Sequence, residues 1–191
     1  GDMPPIFKRY LVVVAIFTLG NSSNMFLLLR ARELGVAQAQ IPLLWAAVSV
    51  VAMLFSTPLS ALSDRWGRIR LLTAGYLAYG LFYFLMGGIA HDGLAMFTLF
   101  GFYGLFMAAT EGVEKALVAD LAPDGLQGTA FGWFNLTAGI MLLPASVLFG
   151  WLYQHYSPLV AFAFSGGCAV LAALLLVVWL RLPDHGIRDM G

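Results

Sequence analysis

The stretch LAMFTLFGFYGLFMAATEGVEKALVADLAP (Leu94–Pro123) decides how the chain is read. Residues 94–110 carry no charge, and Glu111, Glu114 and Lys115 then follow within five positions. Either a membrane ends at Thr110, or ionisable side chains lie inside the bilayer. Gly104, Ala108 and Gly112 recur every four residues, the spacing of small side chains that lets helix backbones approach closely in lipid. "ALVA" carries the helix on to Asp120, and Pro123 stops it. Counted back from Asp120 at the membrane surface, Glu111 lies nine residues deep, about 13 Å at the rise of an α-helix. The membrane therefore continues past Thr110.

The rest of the chain has the same character. Its 191 residues are 61% hydrophobic and 10% charged, with a mean hydropathy of +0.86. Soluble domains hold roughly 45–50% apolar and about 25% charged residues. Apolar runs near twenty residues recur, the length that crosses a ~30 Å hydrocarbon core as a helix. The expected fold is all-α: a polytopic membrane bundle of six transmembrane helices at about 7–29, 42–62, 70–90, 94–119, 128–153 and 159–181. The short connections make consecutive helices antiparallel neighbours. Residues 1–6 read as the end of a linker, 7–181 as the bundle and 182–191 as a tail.

Orientation follows from the excess of basic residues on cytoplasmic loops. Lys8, Arg9, Arg65, Arg68, Arg70, Arg181 and Arg188 fall on one side, Arg30 and Arg32 on the other. Both termini are thus expected in the cytoplasm. A net charge of zero gives no electrostatic case for nucleic acid. The single Cys168 offers neither a disulfide nor a metal pair within one chain. No Ser/His/Asp set, metal-spaced histidines or phosphate loop stands out, so no enzyme, metal or cofactor is expected.

Polar residues within spans are the candidates for function. In the first span, "TLGNSSN" puts Thr18, Asn21 and Ser22 on one helix face with Asn24 beside it. They read either as cavity lining or as hydrogen bonds between helices. Asn135, beside Thr137, is a weaker site of the same kind. Tyr76, Tyr79 and Tyr83 form a stripe with Gly80 and Gly87 beside it; such a stripe serves packing, interface anchoring or ligand contact. Pro144 is expected to kink the fifth span. Glu111 and Lys115 fall within about 40° of each other, flank the small-residue stripe and are expected to face the bundle. Glu114 lies about 60° from Glu111, toward a neighbouring helix or water. The alternatives are a Glu111 that exchanges protons during a working cycle and a structural Glu111–Lys115 ion pair.

The loop "SALSDRWGRIRLL" (Ser60–Leu72) places an acid at a helix C-terminus, a glycine turn and basic residues at the start of the next helix. Asp64 opposes the dipole of its own helix and needs a partner, such as Arg68. This stretch resembles the Gly-x-Leu-Ala-Asp-Arg-x-Gly-Arg-Lys motif of major facilitator superfamily transporters, matching at Leu62, Asp64, Arg65, Gly67 and Arg68. Ser60 replaces the first glycine and Ile69 the last basic residue. "TEGVEKALVADLAP" and "GTAFGWFNLTAGIMLLPASVLFGWLY" extend the resemblance to helices ten and eleven of a group of bacterial transporters. That group is expected to carry an acid at Asn24 and an arginine at Gln127, so Asn24 cannot carry a proton here.

The resemblance implies helices seven to twelve of a twelve-helix transporter, with a small-molecule substrate bound at the midplane between two halves. It also implies that Asp64, Arg65, Gly67 and Arg68 belong to a cytoplasmic gate. The expected activity is secondary active transport coupled to protons in a bacterial inner membrane. The expected partners are lipid, substrate and either the N-terminal six-helix half or a second copy. A half-size scaffold or receptor is the competing expectation.

Overall fold

A computed structural model describes residues 3–21, 24–88 and 93–180. They form helices α1 (Pro5–Gly20), α2 (Asn24–Glu33), α3 (Ile41–Trp66), α4 (Arg68–Gly88), α5 (Gly93–Leu121), α6 (Gln127–His155) and α7 (Pro158–Leu180). A 3-10 turn, Gln38–Gln40, leads into α3. Taken together, α1 and α2 make one span, so the described residues contain six helical spans long and apolar enough to cross a membrane.

Each helix starts or stops where the local chemistry requires. Pro5 and Pro42 sit in the first turns of α1 and α3, where the missing N–H costs nothing. Gly67 separates α3 from α4 at φ +92°, a backbone region closed to most L-residues. At Asn21 the backbone leaves the helix with φ −83° and ψ 78°, so the first span is not one continuous helix. Pro58 and Pro144 lie inside α3 and α6 without ending them.

Packing is set by glycine. The α3–α5 contact closes at Gly104, where an added Cβ would stand 2.5 Å from the Val48 carbonyl oxygen. A Cβ added at Gly112 would stand 3.0 Å from the Ser60 hydroxyl. The small-residue stripe of α5 is therefore the seam against α3. Helix α4 lies as close to α7: a Cβ added at Gly80 would stand 3.2 Å from the Gly166 carbonyl oxygen, and one added at Gly87 3.0 Å from Phe162 Cβ. In the same helix, Tyr76, Tyr79 and Tyr83 are all buried. Half of the α4 span is buried, against 11% for the spans of α3 and α6. The large apolar side chains of those two helices, including Met53, Leu54, Phe55, Ile140 and Leu143, are consequently exposed. Such surfaces fit lipid or another membrane-spanning unit.

Candidate functional site

Polar contacts converge on α4 from two directions. In the half nearer the α3–α4 turn, the Tyr76 hydroxyl donates to Glu114 Oε1 at 2.7 Å. Phe17 of α1 stacks on Tyr76 with ring centroids 3.9 Å apart. Tyr10, two turns earlier on α1, is fully buried, has no hydrogen-bond partner among the described residues and lies within electrostatic reach of Glu114. Phe134 of α6 stacks on Tyr10 with ring centroids 6.5 Å apart. Helix α4 thus holds the α5 carboxylate through Tyr76, with Phe17 of α1 stacked on that tyrosine and Tyr10 of α1 within electrostatic reach.

Seven residues further along α4, about 10 Å, Tyr83 donates to Asn21 Oδ1 at 2.7 Å. Tyr103 of α5 donates to Asn24 Oδ1 at 3.1 Å. The two tyrosines bracket the end of α1 and the start of α2. Tyr79 lies between the two polar centres, edge-on to Phe17 at 5.3 Å and to Tyr103 at 5.5 Å. Trp45 of α3 stacks on Tyr103 at 6.4 Å.

The structure corrects the expected orientation of α5. Glu111 and Lys115 are exposed, and the ion pairs among the described residues are Arg30–Glu33, Arg68–Asp64 and Arg68–Asp120. No Glu111–Lys115 pair forms. Glu114 instead turns inward. It lies eleven residues, close to three full turns, beyond the buried Tyr103 and shares its face. At the level of Gly112, α3 offers Ser60 as the nearest neighbour, which leaves the flank bearing Glu111 and Lys115 uncovered.

The other expected site residues are dispersed. Thr18 is half-buried one turn before Asn21, Asn135 is exposed on α6, and Ser22 lies outside the described residues. The tail from Arg181 onward also lies outside them. In the α3–α4 turn, Asp64 and Arg65 are exposed, while Arg68 is half-buried. Arg68 Nε meets Asp120 Oδ2 at 2.7 Å, and its Nη2 lies 3.6 Å from Asp64. Asp64 has the partner its position demands, but the closer bond runs to the end of α5.

Two features escaped the sequence. Asp120 marks a helix end in sequence but ties α5 to α4 in space. Arg30, counted in sequence only as a loop charge, inserts between helices: its Nε donates to the Met86 carbonyl at 3.1 Å and its Nη2 to that of Gly87 at 3.4 Å. These are the carbonyls at the C-terminal end of α4, where a cation is favoured. Glu33, 3.5 Å from Arg30, accepts from the Tyr153 hydroxyl of α6. The end of α2 is thereby clasped to α4 and α6. Only the basic residue at the last turn of α2 hinted at it.

Six apolar spans joined by glycine seams around interior polar centres make this a polytopic membrane bundle. The Major Facilitator Superfamily model matches residues 10–189, and the chain belongs to that family. It is an integral membrane protein. Among curated proteins it is similar to two uncharacterized MFS-type transporters of Methanocaldococcus jannaschii. One is 34% identical over 184 residues, covering 92% of this chain and 45% of the relative. The other is 27% identical over 156 residues, covering 81% of this chain and 39% of the relative. The probable galactarate/D-glucarate transporter GarP of Escherichia coli strain K12 is 26% identical over 196 residues, 94% of this chain and 44% of GarP. The chain thus spans less than half the length of these relatives. No solved structure matches it significantly.

Proposed function

We propose that this chain is one six-helix half of a secondary transporter that moves a small polar solute by alternating access, with Glu114 as the proton-coupling group. Family membership and coverage of less than half of each relative support the first part. The observation that carries the second is the Tyr76–Glu114 contact inside the bundle. An ionisable group at such depth marks a working site more often than a packing site. Tyr76 from α4 bonds the carboxylate, Phe17 from α1 covers Tyr76, and Glu111 and Lys115 of its own helix are the nearest charges in sequence.

The chemistry follows from that enclosure. A protonated Glu114 is neutral and tolerates a closed, dry site, whereas its carboxylate needs Tyr76 as donor and benefits from water or a cation. Rocking of the half against its partner would open and close the polar flank of α5 beside it. That motion would link proton uptake to solute movement. Asn24 and Asn135, both exposed, would line the solute path. The basic α3–α4 turn would face the cytoplasm with both termini, in a bacterial cytoplasmic membrane. Arg68, held between Asp64 and Asp120, would brace that entrance.

The test is solute flux in proteoliposomes containing the full-length protein, with and without an imposed pH gradient. Galactarate and D-glucarate, the solutes named for GarP, are the first to try. Glu114→Gln should uncouple flux from the gradient, whereas Glu111→Gln should retain coupling. Gradient-driven flux that survives in Glu114→Gln would overturn the assignment.

A further inference from the structure

We propose that the α6 stripe Trp133–Leu136–Ile140–Leu143–Val147–Trp151 lies against lipid, its two tryptophans seated at opposite interfaces of the bilayer, while the flank bearing Asn135 and Leu142 is turned from lipid. The proposal is independent of the proton-coupling reading and stands or falls without it.

Trp133 and Trp151 are 151 − 133 = 18 residues apart in one helix, Gln127–His155, which runs through Pro144 unbroken. That is five full turns at about 3.6 residues per turn, so both indoles leave the same face. They stand about 27 Å apart along the axis, close to the ~30 Å thickness of a hydrocarbon core. Leu136, Ile140, Leu143 and Val147 step between them at intervals of three and four residues, which keeps all six side chains on one stripe. Each of the six is between 47 and 71% exposed. Helix α3 repeats the measure: Trp45 and Trp66, 66 − 45 = 21 residues apart near its two ends, are separated by roughly 31 Å.

The chemistry of the stripe selects its occupant. Tryptophan carries a large apolar ring and an indole N–H that needs an acceptor, so it collects where hydrocarbon meets headgroups. At the C-terminal end of α6, Trp151 stands in a cluster of such rings. His155 stacks on it at 5.2 Å, and the exposed Tyr156 meets it edge-on at 5.5 Å. The four side chains between the tryptophans are branched aliphatics, which suit acyl chains. A partner helix favours a different surface, because helices in lipid associate through small residues that let backbones approach. Helix α6 keeps those residues elsewhere: Gly128, Gly132 and Gly139 lie round toward Asn135 and Leu142, which are about 160° and 180° from Trp133. A Cβ added at any of the three glycines would meet nothing within 4 Å.

The experiment uses the full-length protein in phosphatidylcholine vesicles, with its other cysteines replaced and one nitroxide spin label attached after Trp133→Cys, Ile140→Cys, Leu142→Cys, Leu143→Cys or Trp151→Cys. Oxygen, which partitions into hydrocarbon, and a water-soluble nickel chelate each relax a label that they reach. The oxygen-to-nickel ratio should be highest at positions 140 and 143 and lower at both 133 and 151. Position 142, at the depth of 143 on the other flank, should be less open to oxygen. Labels at 140 and 143 shielded from both reagents would place a protein surface over the stripe, and labels reached by the nickel chelate would place water there. Either result overturns the proposal, as does equal oxygen access at 142 and 143. A second arm needs no variant: the unaltered full-length protein should unfold at a higher temperature in dioleoyl bilayers than in the thinner dimyristoleoyl or thicker dierucoyl ones. A maximum at either extreme would contradict the tryptophan spacing. Loss of proton coupling in a flux assay would leave both arms unchanged.

Discussion

Replacing Gly104 with alanine tests the packing on which every interior contact depends. A Cβ at that position meets the Val48 carbonyl oxygen at 2.5 Å, and Val48 Cα and C at 3.1 and 3.2 Å. Ordinary contact begins near 3.4 Å, so α3 and α5 must separate by 3.4 − 2.5 = 0.9 Å. The obstacle is backbone within a helix and cannot rotate away. Overpacking of this kind costs about 1–3 kcal/mol. The helix gains roughly 0.5–1 kcal/mol from losing a glycine, leaving a net loss of up to about 2.5 kcal/mol. Gly101, one turn earlier in the same helix, has nothing within 4 Å of its added Cβ. Gly101→Ala should therefore be neutral or stabilising. Gly112 meets the Ser60 hydroxyl at 3.0 Å, and that side chain can turn aside, so Gly112→Ala should fall between them. Equilibrium unfolding of the full-length protein in mixed micelles measures all three. Equal effects at Gly101 and Gly104, or the reverse order, would refute the close α3–α5 seam.

Further contacts give separate tests. Arg30→Ala should lower unfolding free energy by about 1–3 kcal/mol, because the α4 carbonyls lose a charged donor, while exposed Arg32→Ala should change little. A thermal unfolding comparison checks the difference. Arg68→Ala and Asp120→Ala should couple by less than about 1 kcal/mol in a double-mutant cycle, since half-exposed pairs are screened. Salt should erase that coupling. Tyr76→Phe and Glu114→Gln should couple by about 1–3 kcal/mol in the same assay, and simple additivity would contradict the inward placement of Glu114.

Much of the architecture was legible before any coordinates. Twenty-residue apolar runs separated by Gly, Pro and charge punctuation specify membrane helices, because lipid leaves the backbone no other option. The Gly104–Ala108–Gly112 stripe likewise identified a seam correctly. What it could not give was the extent of the partner. The α3 helix covers the stripe but not its flank, so Glu111 and Lys115 emerge where helical spacing alone predicted burial. The inward turn of Glu114 depends on α4 supplying Tyr76 at the same depth, a pairing 38 residues apart in sequence. The tyrosine stripe read as packing, anchoring or ligand contact. In space it packs, and two of its hydroxyls also fix the polar groups of α1 and α5. Arg30 was read as a topology signal because positive-inside counting treats arginines alike, whatever carbonyls they reach. The glycine turn at Gly67 is legible in the loop sequence and carries the positive φ that a residue without Cβ permits.

Coupling of protons to solute movement through Glu114, the inward-facing acid of α5, is the step on which the proposed function turns. The most direct measurement is proton movement itself, read with an internal pH dye in proteoliposomes holding the full-length protein as solute is added. The account predicts a solute-dependent pH change with wild type and Glu111→Gln, and none with Glu114→Gln despite retained solute binding. A pH change that persists in Glu114→Gln, or one abolished only by Glu111→Gln, would contradict it.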